Sequence, residues 1–150
     1  MTEINKTLKV LALDLEGTLI TSAVSILPRP GLYDFLEYCK NKFERIVIMT
    51  AVSLVLFEKV RAVLLEYKEV PEWFVDVEYI KFQDCEESED GIYKDLRCIT
   101  NCKPEDCIII DDMECYIREE QKNFWIEISS YKGNTDDTEF NRIIEHLDKK

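Results

Sequence analysis

The sequence predicts a doubly wound α/β domain, a three-layer sandwich with a central parallel sheet, and three observations lead there. Short, predominantly apolar runs, LKVLAL (8–13), RIVIM (45–49) and CIII (107–110), read as buried strands. Segments with apolar residues at helical spacing alternate with them. No repeat, low-complexity tract or Gly/Ser linker breaks the 150 residues, so 1–150 reads as one domain, long enough to bury roughly 70% of its unfolded surface.

Taken in order, LKVLAL is the first strand and runs into Asp14. RPGLYDFLEYCKNK then carries Leu32, Phe35, Leu36 and Cys39 on one helical face, with Pro30 in the first turn, where a missing N–H is tolerated. RIVIM is the second strand and delivers Thr50. SLVLFEKVRAVLLEY is a second helix capped by Ser53. EWFVDVEYIKF reads as a helical turn followed by a strand over 77–82. A short helix starts near Lys94 in YKDLRCIT, a turn follows at Lys103 and Pro104, and CIII ends in Asp111 and Asp112. FWIEI (124–128) is the last strand, and TEFNRIIEHLDKK closes the chain as a helix with Phe140, Ile143, Ile144 and Leu147 as its apolar stripe.

Composition narrows the function classes. Thirty-one acidic residues against 19 basic ones give a net charge of −12, which disfavours nucleic acid and anionic membrane surfaces as partners. In MTEINKTLKVLALDLEG the one short apolar run is cut by Asp14 before a signal peptide or spanning helix could form, so a cytoplasmic location is expected. Six cysteines occur without a CxxC pair, and His146 lies far from them. They read as reduced, mostly buried thiols rather than a zinc cluster or disulfide framework.

In an open parallel sheet, ligands bind beyond the carboxyl ends of the strands. Three ends stand out: Asp14 and Glu16 after the first strand, Thr50 after the second, and Asp111 and Asp112 after CIII. Residues 14 and 16 face the same side of an extended segment, so both acids can reach one small volume. Like charges so gathered repel unless a cation lies among them, and an oxygen-only donor set suits a hard divalent ion, most simply Mg2+. Each residue alone has an ordinary reading: a strand-end acid, a common threonine, a solvated lysine, a helix cap. Their joint order is what points to a site.

That order resembles the haloacid dehalogenase superfamily of phosphohydrolases: DLEGT at 14–18, Thr50, Lys94, and the pair Asp111 and Asp112, at intervals of 36, 44 and 17 positions. Within it, RPGLYDFLEY, IVIMTA and YKDL are similar to the small phosphatases of the RNA polymerase II C-terminal domain and their NLI-interacting-factor-like relatives. Gly17 departs from the latter, which usually carry an acid there. The resemblance implies a nucleophile at Asp14 that becomes an aspartyl phosphate. It implies Mg2+ held by Asp14, Asp111 and the backbone carbonyl of Glu16, with Asp112 steadying a metal-bound water. Thr50, Ala51 and Lys94 would hold the phosphoryl oxygens. Glu16 stands where most such phosphatases use aspartate as acid and base, so leaving-group protonation is expected to be impaired or retuned.

The intervals after DLEGT and after Thr50 are too short for the cap domains of larger relatives, so an open site and a phosphorylated protein or other large substrate are expected. Two other readings stay open: a binding protein that has lost turnover through Glu16, and a phosphatase of small phosphate esters. Arg29 reads as a turn residue, with substrate contact as the alternative. The acidic run DCEESED (84–90) reads as a solvated loop that, as a functional element, would favour basic partners.

Overall fold

The structure, a computed structural model, describes residues 8–88 and 91–150; the first seven residues, and Glu89 and Asp90 of the acidic run, lie outside the described residues. Five strands form one all-parallel sheet in the order β3-β2-β1-β4-β5. They are β1 (Leu8–Leu13), β2 (Phe43–Thr50), β3 (Glu78–Lys81), β4 (Cys107–Asp111) and β5 (Trp125–Glu127). The apolar run of β1 lies at the centre, where Leu11 pairs with Ile46 on one side and Ile108 on the other. The three strands whose ends carry the candidate acids and Thr50 are therefore adjacent.

Alternation along these strands divides the core. Leu11, Leu13, Ile48 and Ile110 face helices α1 (Leu32–Lys42), α2 (Leu54–Glu66) and α3 (Glu139–Asp148), whose Phe35, Phe57, Phe140 and Ile143 are buried against them. Val10, Ala12, Val47, Met49 and Ile109 face the opposite way, where Phe82, Leu96, Ile99 and Ile117 cover them from short 3-10 turns and loops. Connections run over both faces, so the fold is the doubly wound parallel sheet expected, but α-helices among the described residues cover only one of them. Among the described residues no cap domain interrupts it: residues 19–29 form a small flap closed by Thr21 N–H on Leu27 O (3.0 Å), and α2 and β3 occupy much of the stretch from Thr50 to Lys94.

Three expectations need correction. Pro30 precedes α1 instead of opening it; Gly31, at φ +83°, makes the turn into the helix. The helix expected near Lys94 is a single 3-10 turn, Leu96–Cys98, capped by the Asp95 carboxylate on Arg97 N–H, and the β-branched Ile99 and Thr100 with Asn101 at φ +60° stop it there. The thiols are not all reduced: Cys85 and Cys98 are joined in a disulfide, while Cys39, Cys102, Cys107 and Cys115 are free. Cys85 and Cys98 each end a 3-10 turn, which brings them together across 13 positions. Ser53 caps α2 through Leu56 N–H, and the last strand and helix fall where their patterns lie. No helix among the described residues is long and apolar enough to cross a membrane.

Candidate active site

Where β1 ends, Asp14 N–H still bonds Ile110 O on β4 (3.1 Å), which fixes the Asp14 side chain beside that of Asp111. The chain then turns tightly, with Leu19 N–H and Ile20 N–H both returning to Leu15 O. Glycine suits this turn in two ways. Its φ is +80°, and a Cβ added there would stand 2.4 Å from Asp112 Oδ2. Arg29, 1% exposed, locks this turn by donating to the carbonyls of Gly17 (3.3 Å) and Thr18 (3.2 Å) and to Ser129 O. Both ends of its guanidinium also bond the Asp137 carboxylate at 2.9 Å. Arg29 is thus wholly engaged by the protein, which favours the reading as a turn residue over substrate contact.

The acids converge as the motifs imply. Carboxylate oxygens of Asp14, Asp111 and Asp112 all lie within 4.8 Å of one another. Lys94 Nζ donates to Asp14 Oδ1 (2.7 Å) and Asp111 Oδ2 (2.5 Å), and the Phe82 and Tyr116 rings flank it. Thr18 O–H bonds Asp14 Oδ2 (2.9 Å), Met113 N–H bonds Asp111 Oδ1 (2.9 Å), and Ser130 O–H bonds Asp112 Oδ2. Burial pushes the Asp14 carboxyl well above the usual carboxylate range; Lys94 opposes this and Asp111 adds to it. Asp111 is raised for the same first reason. Burial works against charge on Lys94, yet the two carboxylates outweigh it and hold the ammonium above its ordinary value.

This charge pattern tests the fit of a metal. One ammonium among three carboxylates leaves two formal charges uncompensated, the charge of one divalent cation. Asp112 Oδ1 is buried with no hydrogen-bond partner, a free oxygen where an acceptor would normally be satisfied. All donors are oxygens, so the residues present fit a hard divalent ion.

A cavity of about 120 Å³ opens above the cluster, lined by Asp14, Glu16, Thr50, Ala51, Phe82, Lys94, Asp112, Met113 and Tyr116. Six of the seven residues singled out from sequence therefore share one wall, and Asp111, fully buried, lies behind Lys94. Thr50 Oγ1 accepts Val52 N–H (3.1 Å), an arrangement that leaves its own proton for an oxygen in the cavity. Larger hollows exist, such as the one of about 280 Å³ between Lys40, Arg45 and Trp73, but the converging acids and lysine are here.

Glu16 differs from its neighbours. It is exposed, and its Oε2 accepts Ala23 N–H of the flap at 2.7 Å, so the carboxylate is tied to the flap backbone rather than held free over the cavity. Sequence reading missed Phe82, Met113 and Tyr116 as walls and Ser130 as the partner of Asp112. Only Thr18 had a signal, its place in DLEGT.

A family model described as NLI interacting factor-like phosphatase matches residues 9–150. No curated protein matches the sequence.

Proposed function

This chain belongs to the NLI interacting factor-like phosphatase family, within the haloacid dehalogenase superfamily, and on that premise we propose that it is a Mg2+-dependent phosphoric monoester hydrolase working through an aspartyl phosphate on Asp14. The observation that carries the reading is the Lys94 ammonium bridging Asp14 and Asp111 on the floor of a cavity shared with Thr50 and Asp112.

In this reading the Asp14 carboxylate attacks phosphorus in line, the ester P–O bond breaks, and the leaving oxygen departs with a proton from Glu16 or solvent. Water then cleaves the acyl phosphate, releasing inorganic phosphate and restoring the carboxylate. Lys94, Thr50 and the Ala51 backbone hold the phosphoryl oxygens, so Lys94 offsets charge on nucleophile and substrate alike. Asp14, Asp111 and Asp112, with the Glu16 carbonyl, would hold Mg2+, which when bound supplies electrostatic stabilisation of the transferring group.

The open mouth supports a phosphoprotein or other large phosphorylated substrate over a small ester, and the net charge of −12 disfavours nucleic acid. A cytoplasmic location belongs to the same proposal; there the Cys85–Cys98 bond meets a reducing thiol pool, and thiol trapping in cells would report its state. One observation favours a second reading, a phosphoryl-binding protein without turnover: the Glu16 carboxylate is held by the flap.

Aryl-phosphate hydrolysis with and without Mg2+, wild type against Asp14→Asn, separates the two. Metal-dependent turnover abolished by the substitution is the expected result. No turnover in either protein, with phosphate still bound, would overturn the enzyme reading in favour of the binder.

A further inference from the structure

Lys94 presents a problem of support. A buried ammonium placed within 2.7 Å of two carboxylates must be held accurately, yet its backbone lies on neither helix nor strand. Its N–H donates to Tyr116 O (2.8 Å) in the 3-10 turn Glu114–Tyr116, and along its own chain the turn Leu96–Cys98 begins two residues later.

The hydrogen bonds just past Lys94 converge on one side chain. Gln121, 5% exposed, comes from the 3-10 segment Glu119–Phe124 that links β4 to β5. Its Nε2 donates to Asp95 Oδ1 (3.0 Å), and its Oε1 accepts Leu96 N–H (2.9 Å). Asp95, fully buried, also takes Arg97 N–H (2.9 Å) and the Arg97 guanidinium (2.6 Å). One amide thus clips the two residues that follow Lys94. It belongs to the same connection that starts with Asp112 and carries Tyr116.

We infer that Gln121 is a positioning residue for Lys94, setting the reach of the ammonium to Asp14 and Asp111 without itself touching substrate. An amide is needed because the clip must donate at one end and accept at the other. Glutamate would set a second carboxylate against Asp95, and leucine would leave the Leu96 N–H buried and unpaired and take one bond from Asp95, which keeps those of Arg97.

The kinetic arm of the test rests on the phosphatase reading; a second arm does not. In ¹⁵N-labelled protein, a Lys94 ammonium shielded by two carboxylates gives a slowly exchanging Nζ–H signal, assigned by its loss in Lys94→Met. Gln121→Leu is expected to abolish that signal or speed its exchange at least tenfold while circular dichroism stays native. An unchanged signal in a folded variant would overturn the inference, whatever the activity.

Where turnover is measurable, Gln121→Leu should lower kcat/KM about tenfold in the wild-type background and have no further effect in Lys94→Met. Equal losses in both backgrounds would mark Gln121 as structural only. If Gln121→Leu does not fold, the isosteric Gln121→Glu carries the same measurements. If neither folds, the amide serves folding and the positioning assignment falls.

Discussion

Replacing Glu16 by aspartate separates the two jobs this carboxylate could do. In the structure its Oε2 accepts the Ala23 N–H at 2.7 Å, and the residue is exposed. A bond from a backbone N–H to a charged acceptor contributes about 1.5–3 kcal/mol, and exposure puts this one at or below about 1.5 kcal/mol. Aspartate, one methylene shorter, draws the carboxylate back from the flap by about an ångström, a displacement large enough to matter at a reacting centre. A released acid at this position has the roughly 10²–10⁴-fold of general acid catalysis to contribute. The expected outcome for Glu16→Asp is a 10- to 100-fold gain in kcat/KM on an alkyl phosphate, less than threefold on an aryl phosphate, and a loss of no more than about 1.5 kcal/mol in urea unfolding. Glu16→Gln, which keeps an acceptor for Ala23 N–H but carries no acid, should leave both rates within threefold. Two results would refute the reasoning: no gain on the alkyl ester in Glu16→Asp, or a loss of 10²-fold on that ester in Glu16→Gln, which would show that Glu16 already serves as the acid.

Three further outcomes are expected. Arg29→Met strips a fully buried guanidinium from Asp137 and from the carbonyls of Gly17, Thr18 and Ser129, and should cost about 3–5 kcal/mol in urea unfolding; a loss below 1 kcal/mol would deny the clamp. The Arg142 guanidinium holds the Glu139 carboxyl down to about 2, against burial and with help from Ser129 N–H. A lowered folded-state value stabilises above the ordinary range near 4.5 and is lost as pH falls toward 2, so wild type should exceed Glu139→Gln by about 1 kcal/mol at pH 7, half-exposed Arg142 screening the rest, with the difference gone by pH 2; a pH-independent difference would contradict this. Denatured, unreduced protein should titrate four thiols and reduced protein six, and Cys85→Ser with Cys98→Ser should lower stability by about 3 kcal/mol through the lost loop constraint; six thiols without reductant would exclude the bond.

How far the sequence carried the fold depends on the range of the forces involved. The runs at 8–13, 45–49 and 107–110 are strands because a largely apolar segment of this length must be buried on both faces, and this is a local property. Asp14, Thr50, Lys94, Asp111 and Asp112 were legible from their order, and Ser53 from its place before a helix. Less was legible wherever a partner sits far along the chain. Arg29 was read as a turn residue because nothing near it reveals Asp137, and Gln121 has no local signature because its partners are Asp95 and Leu96. The Cys85–Cys98 pairing cannot be deduced from spacing. At YKDLRCIT the helical pattern was overridden by the Asp95 cap and the β-branched residues behind it. The flap's hold on Glu16 was invisible because the donor is a backbone N–H.

The Arg29–Asp137 bridge also sets a schedule for biosynthesis. Its two members are separated by 108 positions, which at roughly 5–20 residues per second takes a ribosome about 5 to 20 s to translate. Through that interval the nascent chain holds a guanidinium with no carboxylate to receive it, and β1 waits for β4, its neighbour on one side. The loop that begins with Asp14 is therefore made well before the residues that complete it, and takes its working shape only after they have joined it.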